Sequence, residues 1–195
     1  MAQLSLREMI LCALFVALVA VGAFVRIPVG SDVFTLQFMF TLLAGLLLGP
    51  RLGATAVLVY IMLGLMGVPV FASGGGPSYV LQPTFGYLLG FVVQAWFCGW
   101  AARRREAPGF RYLLGVNVVG MAIVYAFGLV YFYVVSNYVI DAPVSVWWVV
   151  LYCGILQVVP DFLLCLAAAQ AAVKCARAGV WVETREIAAY QAKEA

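Results

Sequence analysis

The sequence predicts an all-α integral membrane protein, a compact bundle of six transmembrane helices with an outward-facing ligand pocket closed by loops 1–2 and 3–4. Three observations lead there. Of 195 residues, 66% are hydrophobic and 10% charged, with a mean hydropathy of +1.08, whereas about a quarter of a soluble domain is charged. The apolar segments recur along the whole length and leave no room for a soluble domain, so residues 1–195 read as one membrane domain. The stretch from Val68 to Tyr87, VPVFASGGGPSYVLQPTFGY, is free of charge yet holds three prolines and four glycines, which rule out a continuous helix.

A spanning helix needs ~20 mostly apolar residues, somewhat fewer inside a bundle. Segments at 6–25, 34–49, 51–68, 83–102, 112–136 and 145–174 meet that requirement, followed by a cytoplasmic tail at 175–195. The first, beginning MAQLSLREMILCALFVALVA, has an acid beside its only base and reads as a retained helix rather than a cleaved signal peptide. It carries Ala13, Ala17 and Ala20 at spacings that share a face, where small side chains admit a neighbouring helix; packing inside the bundle is the simpler use. Pro28 and Gly30 interrupt the chain before the second helix, and Thr35 and Gln37 follow at its outer mouth, either lining a pocket or capping the helix. Gly49-Pro50 closes the second helix and opens the third, a tight hairpin.

The 68–87 stretch is a loop whose side chains are aromatic or hydrogen-bonding without ionising: Phe71, Ser73, Ser78, Tyr79, Gln82, Thr84 and Tyr87. A solvated linker would be polar throughout, so this composition suits a pocket for a small, mostly uncharged molecule. Phe71, Tyr79 and Tyr87 are candidate walls; Thr35, Gln37, Ser73, Gln82 and Thr84 are candidate polar points. Gly75 sits in a turn whose backbone can approach a ligand closely. In the fifth segment Tyr112 and Tyr138 fall near the two membrane interfaces, and Asn117 reads as a bond between helices. The sixth holds the one ionisable residue inside a span, Asp161 in LQVVPDFLLCLAAAQ. An unpaired carboxylate at that depth costs several kcal/mol, so Asp161 faces the interior, has a partner and marks a functional site. Pro160 beside it weakens the helix and frees a carbonyl near Leu156 or Gln157.

Charge placement orients the bundle. With the N-terminus inside, ten of the eleven lysines and arginines fall on the cytoplasmic side, including the run Arg103-Arg104-Arg105, and only Arg26 falls outside. The 68–87 loop then faces the exterior. No pattern suggests nucleic acid. The absence of histidine removes imidazole catalysis and most zinc or iron sites, and the five cysteines, scattered through apolar runs, show no metal spacing. One intramembrane carboxylate does not make an enzyme, and no cofactor or metal is expected.

IPVG and FTLQ (Ile27 to Gly30, Phe34 to Gln37), LLAGLLLGPRLG (Leu42 to Gly53), YIMLGLMGVPVFASGGG (Tyr60 to Gly76) and PTFGYLLGF (Pro83 to Phe91) together resemble the BioY family, the biotin-binding S components of energy-coupling-factor (ECF) vitamin transporters. The resemblance covers about a third of the chain. It implies a six-helix bundle that binds biotin outside with high affinity and releases it inside when coupled to a transmembrane coupling subunit (T component) and two cytoplasmic ATPases. No ATP site is expected here, and the G-x-x-x-x-G-K-[ST] pattern is absent. The family's alanine motif, which meets the coupling subunit, is matched by Ala13 and Ala17. Family members commonly carry a lysine three residues after the aspartate of the last helix; here Leu164 stands there. The biotin carboxylate must then be met by backbone amides of the Gly74 to Gly76 turn, hydroxyls, water or Arg26, while Asp161 accepts from the ureido N–H groups. Alternatives on the same scaffold are an S component for another vitamin or related solute and a solitary biotin transporter.

Overall fold

Ser5 starts the first helix by a reciprocal bond. Its hydroxyl accepts from the Glu8 amide at 3.3 Å, while the Glu8 carboxylate accepts from the Ser5 amide at 2.7 Å, so two otherwise orphaned donors are satisfied. From there the computed structural model of the chain describes residues 5–29, 32–106 and 108–178, without the side chains of 26–34. The helices are α1 (Leu6–Phe24), α2 (Gln37–Leu48), α3 (Pro50–Leu65), α4 (Phe85–Ala102), α5 (Phe110–Tyr138) and α6 (Val146–Arg177). Of these, α1, α4, α5 and α6 are long and apolar enough to cross a membrane; α2 and α3 are shorter and also apolar. The all-α membrane architecture is as the hydropathy predicts. The expected tail at 175–195 lies outside the described residues from 179 onward.

Three departures from the sequence reading bear on the site. The second helix begins at Gln37 rather than 34, because β1 (Arg26–Val29) and β2 (Asp32–Thr35) pair as an antiparallel hairpin with Arg26 opposite Thr35 and Ile27 opposite Phe34. Val33, Phe34 and Thr35 are strand-forming types, and pairing satisfies backbone groups that would otherwise lie bare where Pro28 stops a helix. The loop between α3 and α4 has internal structure, with a 3₁₀ turn at Pro77–Leu81. Finally, α6 is α-helical at Val146–Val149 and from Leu156 onward but widens into a π turn at Val150–Ile155, upstream of Pro160.

Gly49 joins α2 to α3 with φ at 94°, a left-handed conformation that side chains resist, and Pro50 supplies the first turn of α3. The α2 carbonyls of Leu46 and Leu47 accept from the guanidinium of Arg103 at 3.3 and 3.1 Å, and the Gly99 carbonyl of α4 accepts at 3.2 Å. Desolvation pulls that guanidinium down to about 10, leaving it charged at neutral pH. Around this anchor α4 packs on α5, α2 and α3, and α6 on α2 and α5, over a core that includes Leu42, Leu46, Val57, Tyr60, Ala95, Leu113 and Ala168. The opposite pattern holds outside: Leu6, Met9, Ile10, Leu14, Val130, Val159 and Leu163 are exposed, an apolar exterior that suits hydrocarbon and not water.

Candidate ligand-binding site

The loop that the prolines and glycines create is held rigidly against one end of the bundle. Phe71 and Gly74 exchange backbone bonds of 2.9 and 3.2 Å, and the Gly76 amide donates to the Gly64 carbonyl at 2.7 Å. Two tyrosines of the bundle reach the loop: the Tyr60 hydroxyl donates to the Val70 carbonyl at 2.9 Å and the Tyr131 hydroxyl to that of Val80 at 2.6 Å. Phe71 is buried between Tyr60 (5.5 Å between ring centroids) and Tyr79 (4.4 Å), so burial of three rings fixes the loop's path.

Beneath this loop lies a cavity of about 240 Å³. That is slightly below the ~300 Å³ at which drug-sized pockets begin, a volume for one compact small molecule rather than a peptide or lipid chain. The hairpin and α2 contribute Thr35, Gln37 and Phe38; the loop gives Ala72, Ser73, Tyr79, Gln82 and Thr84; α4 gives Tyr87, Leu88 and Phe91; α5 gives Val124; and α6 gives Gln157 and Asp161. Phe38, Phe91, Leu88 and Val124 make an apolar wall, and the polar groups converge on it.

Asp161 is 9% exposed and accepts a 2.6 Å hydrogen bond from the Tyr125 hydroxyl on α5. Tyr125 meets Tyr87 edge to face at 6.3 Å, and the Tyr87 hydroxyl donates to the Cys153 carbonyl in the π turn of α6 at 2.9 Å. The Tyr87 ring occupies the space a side chain at Gly128 would need, which is why α4 and α5 come so close there. Gln157 is one turn before Asp161; its Nε2 and that of Gln37 make no hydrogen bond among the described residues, although the two side chains are only 8% and 4% exposed. Buried amide donors without acceptors cost about 1–3 kcal/mol each. Such donors bordering a cavity are ready to meet acceptor oxygens of a ligand.

Of the residues expected from sequence, Thr35, Gln37, Ser73, Tyr79, Gln82, Thr84, Tyr87 and Asp161 come together around the cavity. Phe71 does not line it but backs Tyr79, and Gly75 does not line it either: a Cβ there would strike the Val68 carbonyl, so the glycine permits a close backbone crossing. The side chain of Arg26 lies outside the described residues, although its backbone pairs with that of the lining residue Thr35. Leu164 is half-buried and packs into the core. Asn117 does bond between helices, its Nδ2 donating to the Cys165 carbonyl at 3.0 Å. Sequence reasoning missed Phe38, Ala72, Leu88, Phe91, Val124 and Gln157 around the cavity, and Tyr125 behind Asp161. For Gln157 a signal existed, since an amide one helical turn from an intramembrane carboxylate shares its face.

The sequence model of the BioY family matches residues 1–180. The chain belongs to the BioY family. Among BioY relatives, a probable biotin transporter BioY of Lysinibacillus sphaericus is 44% identical over 167 residues, 86% of this chain and 85% of that protein. The biotin transporter BioY of Thermotoga maritima is 41% identical over 137 residues, 70% of this chain and 78% of the relative. In three dimensions the chain is similar to the crystal structure of the S-component for biotin from an ECF-type ABC transporter, with a TM-score of 0.65 over 90% of this chain and 95% of that one; at 20% identity the likeness is one of fold. BioY relatives are transporters and not enzymes, and the BioY assignment agrees with a multi-pass membrane protein.

Proposed function

We propose that this chain is the high-affinity biotin-binding subunit of an ECF-type vitamin uptake transporter. The observation that carries the proposal is the buried Asp161–Tyr125 pair at a small, aromatic-walled cavity in a chain 44% identical to a probable biotin transporter BioY. The biotin ring system is neutral and carries two ureido N–H donors and one carbonyl acceptor. Asp161 accepts from the N–H groups, as charge-assisted bonds in a dry site are the strong ones, and the Gln37 and Gln157 amides meet acceptor oxygens. Tyr79, Tyr87, Phe38 and Phe91 enclose the apolar part, and Thr35, Ser73, Gln82 and Thr84 supply the remaining polar contacts. Phe71 and Gly75 serve by shaping the loop, and Arg26 is assigned to the anionic valerate end.

The cavity faces the exterior and both termini the cytoplasm, on the count of ten bases against one, within one domain in the cell membrane. Biotin captured there passes inside when the subunit docks on a transmembrane coupling subunit and two cytoplasmic ATPases. Ala13 and Ala17 are exposed on α1 and Ala20 half-buried, so the first two are available for that coupling contact.

Calorimetry of biotin with the purified protein in detergent, beside Asp161→Asn, tests the reading. Submicromolar binding that the substitution abolishes in a folded variant supports it. Absence of binding by well-folded protein overturns biotin as the ligand and directs the search to other vitamins.

A further inference from the structure

At the end of α4 away from the cavity, an exposed face carries two stacked rings and a cation. Trp96 and Trp100 are one turn apart with centroids at 6.3 Å and planes within 9°, and the Arg104 guanidinium carbon lies 4.1 Å from the centre of the Trp100 ring. Beside it Arg105 covers Tyr112 at 4.3 Å. The Tyr112 hydroxyl donates to the Ala101 carbonyl at 2.7 Å, fixing the start of α5 against the end of α4. Both tryptophans and both arginines are exposed, as are Arg111 and Glu106, whereas Arg103 is occupied by the α2 and α4 carbonyls.

We propose that this corner of α4 and α5 is a binding site for the headgroup of an anionic phospholipid. Exposed tryptophans at the end of an apolar helix favour the boundary between acyl chains and headgroups, which sets the depth of the corner in the bilayer. A guanidinium lying on a ring face keeps its N–H donors at the rim, where a phosphate oxygen pair can be met bidentately. Among the described residues of the corner Arg104, Arg105 and Arg111 outnumber Glu106, a positive surplus. A zwitterionic headgroup brings its own cation into that surplus and is repelled, while an anionic one is not. The site goes beyond the proposed uptake function and does not depend on which solute the cavity takes.

Replacing Trp147, Trp148 and Trp181 by phenylalanine leaves Trp96 and Trp100 as the only two of the five tryptophans. In that background, fluorescence is titrated with brominated phosphatidylglycerol and with brominated phosphatidylcholine. The expected result is half-maximal quenching at a severalfold lower mole fraction of the anionic lipid, a preference that the double substitution Arg104→Gln, Arg105→Gln erases. Molar salt erases it without any substitution, which keeps the test valid should the double variant fold poorly. Far-ultraviolet circular dichroism of the same samples reports the folded state. Equal quenching by the two lipids, or a preference that survives both the substitutions and the salt, overturns the proposal.

Discussion

The Tyr125 hydroxyl donates a 2.6 Å hydrogen bond to Asp161 Oδ2, joining two residues 36 positions apart across the α5–α6 contact. A bond of this kind fixes which way the carboxylate faces and lowers the cost of keeping it deep in the bundle. Tyr125→Phe keeps the ring against Tyr87 and removes only the donor. Hydrogen bonds to charged groups contribute about 1.5–3 kcal/mol, so biotin affinity should fall roughly ten- to hundredfold with the fold retained. Calorimetry beside a far-ultraviolet spectrum checks this; undiminished affinity would mean that Asp161 is oriented by other contacts.

The amides of Gln37 and Gln157 separate stability from binding. Among the described residues the Gln157 Nε2 is buried without a hydrogen bond, so an isosteric apolar side chain relieves a penalty in the empty protein and deletes a donor from the ligand's surroundings. Gln157→Leu should leave the melting temperature of the ligand-free protein unchanged or raised, while the added stabilisation by biotin shrinks by about 1–3 kcal/mol. Thermal denaturation with and without biotin reads both. A variant that melts lower yet keeps its full biotin-induced shift would show Gln157 to be a packing residue alone.

The boundary between what was legible in the sequence and what was not follows the range of the interactions. Hydropathy locates apolar helices because each must satisfy its own backbone in lipid, and Gly49-Pro50 marks a turn by local chemistry. Asp161 stood out because charge inside a span is rare. The hairpin at Arg26–Val29 and Asp32–Thr35 was hidden, because Val33 and Phe34 extend the apolar run of α2 and only pairing shows them to be strand. Tyr125 was one of five tyrosines on α5, and nothing near it in sequence selects it; the partner lies on another helix. Phe71 was correctly placed in the loop but misplaced in depth, since an aromatic in a pocket wall and one behind the wall have the same local sequence.

Arg103 gives a pH prediction. Desolvation pulls its folded pKa to about 10, below the ordinary arginine value, so the charged form is the one folding disfavours, offset by three carbonyl acceptors. Arg103→Lys keeps the charge, loses the planar fork and starts from an ordinary pKa of ~10.4. Burial lowers the folded pKa of that lysine below its unfolded value, so across the window between them the unfolded state binds more protons and stability rises with pH. The variant should melt lower than wild type at pH 7 and recover part of the loss by about pH 9, a range in which the wild-type guanidinium, with its pKa at about 10, has barely begun to titrate and wild type is nearly flat. Melting curves at half-unit steps check the slope; a loss that is constant with pH would assign Arg103 to packing.

Two positions bear on the proposed recognition of the ligand's carboxylate. Leu164 follows Asp161 by three residues, where the resembling family commonly has lysine, and here it packs into the core, while Arg26 pairs through its backbone with the lining residue Thr35. If Arg26 meets the valerate, Arg26→Ala should weaken biotin roughly tenfold or more, the scale of one charge-assisted bond, and leave biotin methyl ester nearly unaffected, because the ester carries no charge to lose. Leu164→Lys is the control. Its ammonium joins the helix face of Asp161, at the end of the site assigned to the ureido ring, so it should cost stability as a half-buried charge and leave the discrimination between free biotin and the ester unchanged. Competition of the two compounds against labelled biotin, on wild type and both variants, decides the matter. An Arg26→Ala protein that discriminates as wild type does would move carboxylate recognition to the backbone amides of the Gly74 to Gly76 turn.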